Sequence, residues 1–203
     1  GSRNDGGGEI APTPGRLMPQ SAAAGSYTTT AVALHWLVAL GVFGAFSLGL
    51  YMHELPLSPT KLKLYSYHKW AGVTIFLLAL TRLAWRATHP APPLPDHMPQ
   101  WQRMAAHAIH HLLYVLIVAI PLTGWLMSSA KGFQTVWFGV LPLPDLLDKN
   151  KDLGDTLALV HKTLNLSMAA LVSAHVGAAL KHHLVDRDDI LARMLPYLNK
   201  VPR

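Results

Sequence analysis

The stretch HKTLNLSMAALVSAH, residues 161–175, lies in the last long apolar segment of the chain and decides its fold. His161 and His175 stand at its two ends, fourteen residues apart. In an α-helix this spacing gives a rise of about 21 Å and an angular offset of only about 40°. Both imidazoles are therefore predicted on one side of a single helix, at two different depths of a membrane.

The composition is typical of a membrane protein. Of the 203 residues, 51% are hydrophobic and 14% are charged, whereas soluble domains carry about 25% charged residues. The chain contains no cysteine, which excludes disulfides, thiolate ligands, iron–sulfur clusters and c-type haem attachment. The net charge of +6 is not matched by a basic soluble face with interleaved aromatic residues. We therefore expect the lipid bilayer as a partner, and no nucleic acid.

Four apolar segments predict an all-α integral membrane bundle of four helices, at 31–52, 64–87, 100–129 and 153–184. This transmembrane domain is expected to occupy residues 27–196. Residues 1–26 read as a flexible segment that is partly tag or linker, and 197–203 as a C-terminal tail. The loop at 130–152 is expected to contain an interfacial segment.

The distribution of basic residues predicts the orientation. Four spans place both termini on the same side of the membrane, and that side carries more Lys and Arg than the other. The positive-inside rule then places both termini in the cytoplasm.

The histidines fall into two pairs at matched depths. His35 and His175 are expected toward the cytoplasmic side, and His68 and His161 toward the outer side, with about 20 Å between the pairs by helix rise. Neutral imidazoles inside a membrane are costly without partners. Two bis-histidine pairs fit two haems stacked across the membrane. Such ligation saturates the iron and suits outer-sphere electron transfer.

Other interpretations of the histidines remain open. Any one of them can be a packed, hydrogen-bonded side chain. Structural zinc sites need four close ligands, and each predicted pair supplies two. A histidine-lined transporter for divalent metals is less favoured because no Asp or Glu lies inside a predicted span.

Three further positions are candidates for binding roles. Arg82 follows His68 by fourteen residues, so it is predicted at the inner end, where it pairs with a haem propionate. Gly49 follows His35 by the same interval and is expected to leave room at the outer haem. His182 follows His175 by seven residues and is a candidate to hydrogen-bond a quinone carbonyl; an interfacial histidine without this role is the alternative. His110 and His111 cannot be separated by sequence.

Several short segments, taken as an ordered set, resemble the bacterial cytochrome b561 family. They are LHW at 34–36, YHK at 67–69, RLAWR at 82–86 with THPAPP at 88–93, the stretch from AH at 174–175 to HH at 182–183, and DILARMLP at 189–196. The resemblance covers about residues 27–196.

The resemblance implies haem b ligation and a place in the bacterial inner membrane. The ligands would be His35, His68, His161 and His175, and His182 would contact ubiquinone near the cytoplasmic haem. Within the family the chain is similar to the di-haem superoxide:ubiquinone oxidoreductases. That similarity implies superoxide giving up its electron outside and quinone taking up cytoplasmic protons.

Two expectations follow for partners. Lys61, Lys63 and Lys69 on the outer side are candidates to attract superoxide, with ordinary surface charge as the alternative. No obligatory protein partner is expected. The alternative function is a non-catalytic cytochrome b subunit that anchors a hydrogenase- or formate-dehydrogenase-like complex.

Overall fold

The computed structural model describes residues 25–95, 98–195 and 197–198. The predicted flexible segment at 1–26 therefore lies almost entirely outside the described residues, as does most of the predicted tail at 197–203. The described part is helical apart from one small hairpin. Its elements are α1 (Thr29–Glu54), α2 (Pro59–Thr88), α3 (Gln100–Ala130), β1 (Val136–Trp137), β2 (Leu141–Pro142), α4 (Lys151–Lys181), a π-helical turn (His182–Asp186) and α5 (Ile190–Met194).

Capping residues set the helix starts. Thr28 Oγ1 accepts the Ala31 amide at the start of α1, and Asn150 Oδ1 accepts the Leu153 amide at the start of α4. The predicted start of α2 at residue 64 is wrong, because the helix begins at Pro59. A proline at the first helical position needs no hydrogen-bond acceptor, and Ser58 just before it caps the first turn of α2 by accepting the Lys61 amide.

The long helices pack in chain order. Trp85 at the end of α2 donates its indole N–H to Thr28 beside the start of α1, so these two helices are antiparallel. Within the described ranges, close packing joins α1 to α2, α2 to α3 and α3 to α4, whereas α1 and α4 do not pack closely. A small core joins all four helices. It consists of Val38, Ala79, Leu116, Ile117 and Met168.

Many large apolar side chains are exposed, as a lipid environment requires. Leu40 and Phe43 on α1 are 65% and 72% exposed. Among the residues that the structure describes, three helical segments are long and apolar enough to cross a membrane: Thr29–Glu54, Gln100–Ala130 and Lys151–Asp186. α2 is not among them because basic residues lie in its first and last thirds. It has 30 residues, about 45 Å of rise, and packs between α1 and α3. The chain is thus an all-α membrane bundle of four long helices.

A β-hairpin interrupts the loop between α3 and α4. β1 and β2 pair antiparallel, and the tip contains Phe138 and Gly139 at φ 50° and 74°. The Trp70 indole donates to the Val136 carbonyl at 2.6 Å, which attaches the hairpin to α2. The sequence predicted a loop here, because two-residue strands leave no alternating pattern to recognise.

Candidate functional site

We call the two histidine pairs inner and outer after their predicted depths. The inner pair joins the first and last long helices. The rings of His35 on α1 and His175 on α4 have centroids 6.3 Å apart, with 60° between their planes. Two imidazoles bound to opposite sides of one metal ion, each at about 2 Å, have centroids about 6 Å apart. The pair thus has the separation of a bis-histidine site, between two helices that do not pack closely.

The outer pair has the same separation. The rings of His68 on α2 and His161 on α4 have centroids 6.3 Å apart and are nearly perpendicular, at 86°. His161 Nδ1 lies 3.1 Å from the Ile120 carbonyl oxygen. A carbonyl can only accept, so Nδ1 carries the proton and Nε2 is left with a lone pair for a metal. Nδ1 of His68 is buried without a hydrogen-bond partner.

Two glycines make room for the outer pair. A Cβ at Gly49 would lie 3.3 Å from Cε1 of His68, and a Cβ at Gly124 would lie 3.1 Å from Cε1 of His161. Gly49 therefore accommodates the ligand ring itself, which refines the expectation that it leaves room for a macrocycle. Gly124 was missed, because its role depends on how α3 is rotated against α4. The ring separation fits a bis-histidine haem at each depth, and the His161 tautomer and these two glycines support the outer site further.

Arg82 lies at the inner depth, as predicted. Its guanidinium donates to the Ala31 carbonyl at 3.1 Å and lies 5.9 Å from the Tyr114 ring centroid. It is within electrostatic range of His35 and His175. A guanidinium has five N–H donors, so this one bond leaves capacity for an anionic group beside the inner pair.

The structure separates His110 from His111. Each Nδ1 lies 2.7 Å from a carbonyl one turn earlier in α3. The His110 ring lies 5.1 Å from the His175 ring in an edge-on arrangement, so His110 is the neighbour of the inner pair. Sequence alone left this open, since adjacent helical residues point about 100° apart and the orientation of α3 was unknown.

His182 begins the π-helical turn that follows α4, and its ring is held by two carboxylates. Nδ1 lies 2.7 Å from Oδ2 of Asp188 and 3.0 Å from Oδ2 of Asp186. The Lys181 ammonium lies 2.6 Å from the same Asp186 oxygen. Sequence analysis found His182 but missed both carboxylates, because the helical repeat does not continue through a π-helical turn.

Two of the three outer lysines hold backbone carbonyls. Lys61 Nζ donates to the Leu55 carbonyl just beyond the end of α1, and Lys69 Nζ donates to the Phe133 carbonyl at 2.9 Å. Lys63 Nζ lies 5.7 Å from the Tyr67 ring centroid. Lys61 and Lys69 thus have a structural role beside the expected attraction of anions.

A cavity of about 150 Å³ opens on the outer side between α2 and the hairpin. The lining residues that belong to α2 lie within two positions of His68 in the sequence. The lining residues are Ser66, Lys69, Trp70, Gln134, Val136 and Gly139. The Ser66 hydroxyl and the Trp70 indole N–H already donate to carbonyls. The Lys69 ammonium and the Gln134 amide also donate to carbonyls, so their remaining N–H groups are the donors left for a small anion.

Comparisons with known proteins agree with this arrangement. The family model described as "Prokaryotic cytochrome b561" matches residues 26–197. Cytochrome b561 homolog 2 of Escherichia coli (strain K12) is 37% identical over 180 residues, 83% of this chain and 90% of that protein. Cytochrome b561 homolog 1 of the same organism is 30% identical over 173 residues, 84% of this chain and 97% of that protein.

A third relative is the probable superoxide oxidase CybB of Yersinia pestis. It is 31% identical over 178 residues, covering 84% of this chain and 96% of that protein. The family match, the helical membrane bundle and the paired histidines all point to the same family. The chain belongs to the prokaryotic cytochrome b561 family and is a haem b membrane protein of bacterial type.

Proposed function

We propose that this protein is a di-haem oxidoreductase that oxidises superoxide outside the membrane and reduces ubiquinone near the cytoplasmic side. The observation that carries the proposal is the matched geometry of the two histidine pairs, each with centroids 6.3 Å apart and joined through α4. The similarity to a probable superoxide oxidase supports the choice of donor.

The residues are assigned by depth. His35 and His175 would hold the inner haem b, and His68 and His161 the outer one. Bound in this way, haem b supplies one-electron outer-sphere transfer. Arg82 would pair with a propionate of the inner haem, because its remaining N–H donors lie at that depth.

The outer side receives the anionic substrate. Two superoxide anions each give up one electron and leave as dioxygen. Lys61, Lys63 and Lys69 would raise the local positive potential near the outer pair. The cavity lined by Lys69 would admit a small anion.

The inner side reduces the quinone. Ubiquinone takes up two electrons from two superoxide anions, together with two protons from the cytoplasm. His182 would hydrogen-bond a quinone carbonyl through Nε2 and pass protons to it, since Nδ1 is engaged by carboxylates. Both termini are proposed to be cytoplasmic.

The test is a reaction that needs both substrates. Protein purified in detergent, with its haem count measured by pyridine haemochrome, would be mixed with an enzymatic superoxide source and ubiquinone-1. We expect two haems per chain and ubiquinol formed at one molecule per two superoxide anions consumed. A protein that holds two haems but forms no ubiquinol with superoxide would contradict the proposed reaction.

Changing Gly124 to valine is expected to displace the outer haem. The new Cβ would lie 3.1 Å from Cε1 of His161, and overpacking of this kind costs about 1–3 kcal/mol. Absorbance spectra of the haems resolved by redox titration should show reduced outer-haem occupancy, with a smaller effect for Gly124→Ala. The inner haem of the same molecule is the control. Full occupancy of both haems in the valine variant would contradict the assigned contact.

Changing Lys63 to glutamine is expected to slow the reaction with superoxide by a few fold at low ionic strength. The loss should disappear at high salt, because screening removes the long-range attraction of an exposed ammonium. The measurement is the second-order rate of haem reduction by superoxide as a function of salt. An equal loss at every salt concentration would assign Lys63 to the fold and not to attraction.

One observation favours the alternative of an electron-transfer subunit. The hairpin tip exposes apolar side chains, with Phe138 58% and Val140 84% exposed, and such a surface suits a docked partner. Purification from native membranes in mild detergent distinguishes the two functions. A stoichiometric iron–sulfur subunit would support the anchor, and full superoxide-dependent activity of the isolated chain would oppose it.

A further inference from the structure

We propose that Asp188 is a positioning residue that holds the His182 imidazole ready to donate a proton to the quinone. This inference rests on the proposed function, because it concerns the same inner site. It adds to the proposed quinone site a residue that lies beyond α4 and acts on proton transfer.

Asp188 is the less exposed of the two carboxylates on His182. Its side chain is 6% exposed, against 25% for Asp186, and its Oδ2 makes the shorter contact with Nδ1 at 2.7 Å. Asp186 is shared with the Lys181 ammonium, which offsets its charge. The carboxylate that acts mainly on His182 is therefore Asp188.

The backbone holds both residues in this arrangement. The His182 carbonyl accepts the amides of Arg187 and Asp188, and Arg187 adopts a left-handed conformation at φ 55° that turns the chain back. Asp188 Oδ1 accepts the Ile190 amide at 3.1 Å, at the start of α5. Both oxygens of the Asp188 carboxylate are thus held by hydrogen bonds. The carboxylate in turn fixes the orientation of the His182 ring.

This geometry has a chemical consequence. A carboxylate can only accept, so Nδ1 of His182 carries the proton and Nε2 is the atom that exchanges protons with a ligand. Without Asp188 the ring would lose its fixed tautomer, which affects the transfer step more than the binding of the quinone.

The test measures kcat and KM for ubiquinone-1 in purified holoprotein, with haems reduced by superoxide. Asp188→Asn is expected to lower kcat on the order of tenfold or more with KM nearly unchanged. Asp188→Glu, which keeps the charge but moves it by one methylene, is expected to retain more activity. The matched control is Asp189→Asn, since this carboxylate is 57% exposed and pairs with Arg193; it should behave as wild type.

A double-mutant cycle gives the decisive comparison. In a His182→Gln background, Asp188→Asn and Asp188→Glu should cause no further loss, because the carboxylate acts through the imidazole. Full additivity, or a folded Asp188→Asn variant with wild-type kcat, would overturn the inference. If Asp188→Asn does not assemble with haem, Asp188→Glu in the two backgrounds gives the same comparison. Wild type that cannot reduce ubiquinone-1 at all would instead refute the proposed function.

Discussion

Replacing His175 with alanine is expected to remove the inner haem and to abolish quinone reduction while leaving the outer haem in place. The ring of His175 is 6.3 Å from that of His35, and no second imidazole from α4 is assigned to that depth. We expect the pyridine haemochrome count to fall from two to one. Ubiquinone-1 reduction should fall on the order of a hundredfold or more, although superoxide should still reduce the remaining haem.

The matched control is His111→Ala. This histidine lies on α3, and its Nδ1 bonds to a carbonyl of its own helix. It should keep both haems. Added imidazole should restore part of the lost haem in His175→Ala, because it can occupy the space of the missing ring. An alanine variant that retains two b haems with unchanged spectra would show that His175 is not a ligand.

Replacing His161 with alanine is expected to give the opposite result at the other depth. The outer haem should be lost, since His161 faces His68 at 6.3 Å and presents Nε2 to the site. Superoxide oxidation should fall on the order of a hundredfold or more. Ubiquinol-1 should still reduce the haem that remains, so stopped-flow spectra with each substrate separate the two variants.

Together the two variants also test which histidine pair serves which side of the membrane. Identical behaviour toward superoxide and ubiquinol would contradict the assignment of one pair to each side. Loss of both haems in either variant would mean that the two sites assemble cooperatively, and the haem content of Gly124→Val would then distinguish cooperative assembly from misfolding.

The pairing of the four histidines was largely predictable from sequence because helical spacing is regular. Fourteen residues between His161 and His175 fix two depths and one face, and the paired distances in the structure agree with that expectation. Partners on other helices were found by depth alone. The rotation of each helix about its axis was not predictable. For that reason Gly124 was missed, and His110 was not separated from His111.

Local chemistry also set limits on the sequence reasoning. A run with several prolines and lysines was taken as a loop, yet Ser58 and Pro59 form a good helix start. Lys61 and Lys69 were candidates for anion attraction, which stays a prediction, and the sequence did not reveal that their ammonium groups also bond to backbone carbonyls. Asp188 reaches His182 only because a left-handed residue reverses the chain, a conformation that non-glycine residues rarely adopt.

The small core described above has an electrical consequence. Val38, Ala79, Leu116, Ile117 and Met168 form an apolar layer, and on α4 Met168 stands midway between the two ligand histidines. Electrons can cross a layer of this kind by tunnelling, whereas its apolar side chains have no group that passes on a proton. With donor and proton source on opposite sides, each turnover would move negative charge inward. We therefore expect the reaction in sealed vesicles to build a membrane potential, negative on the quinone side, that a dye sensitive to voltage would report.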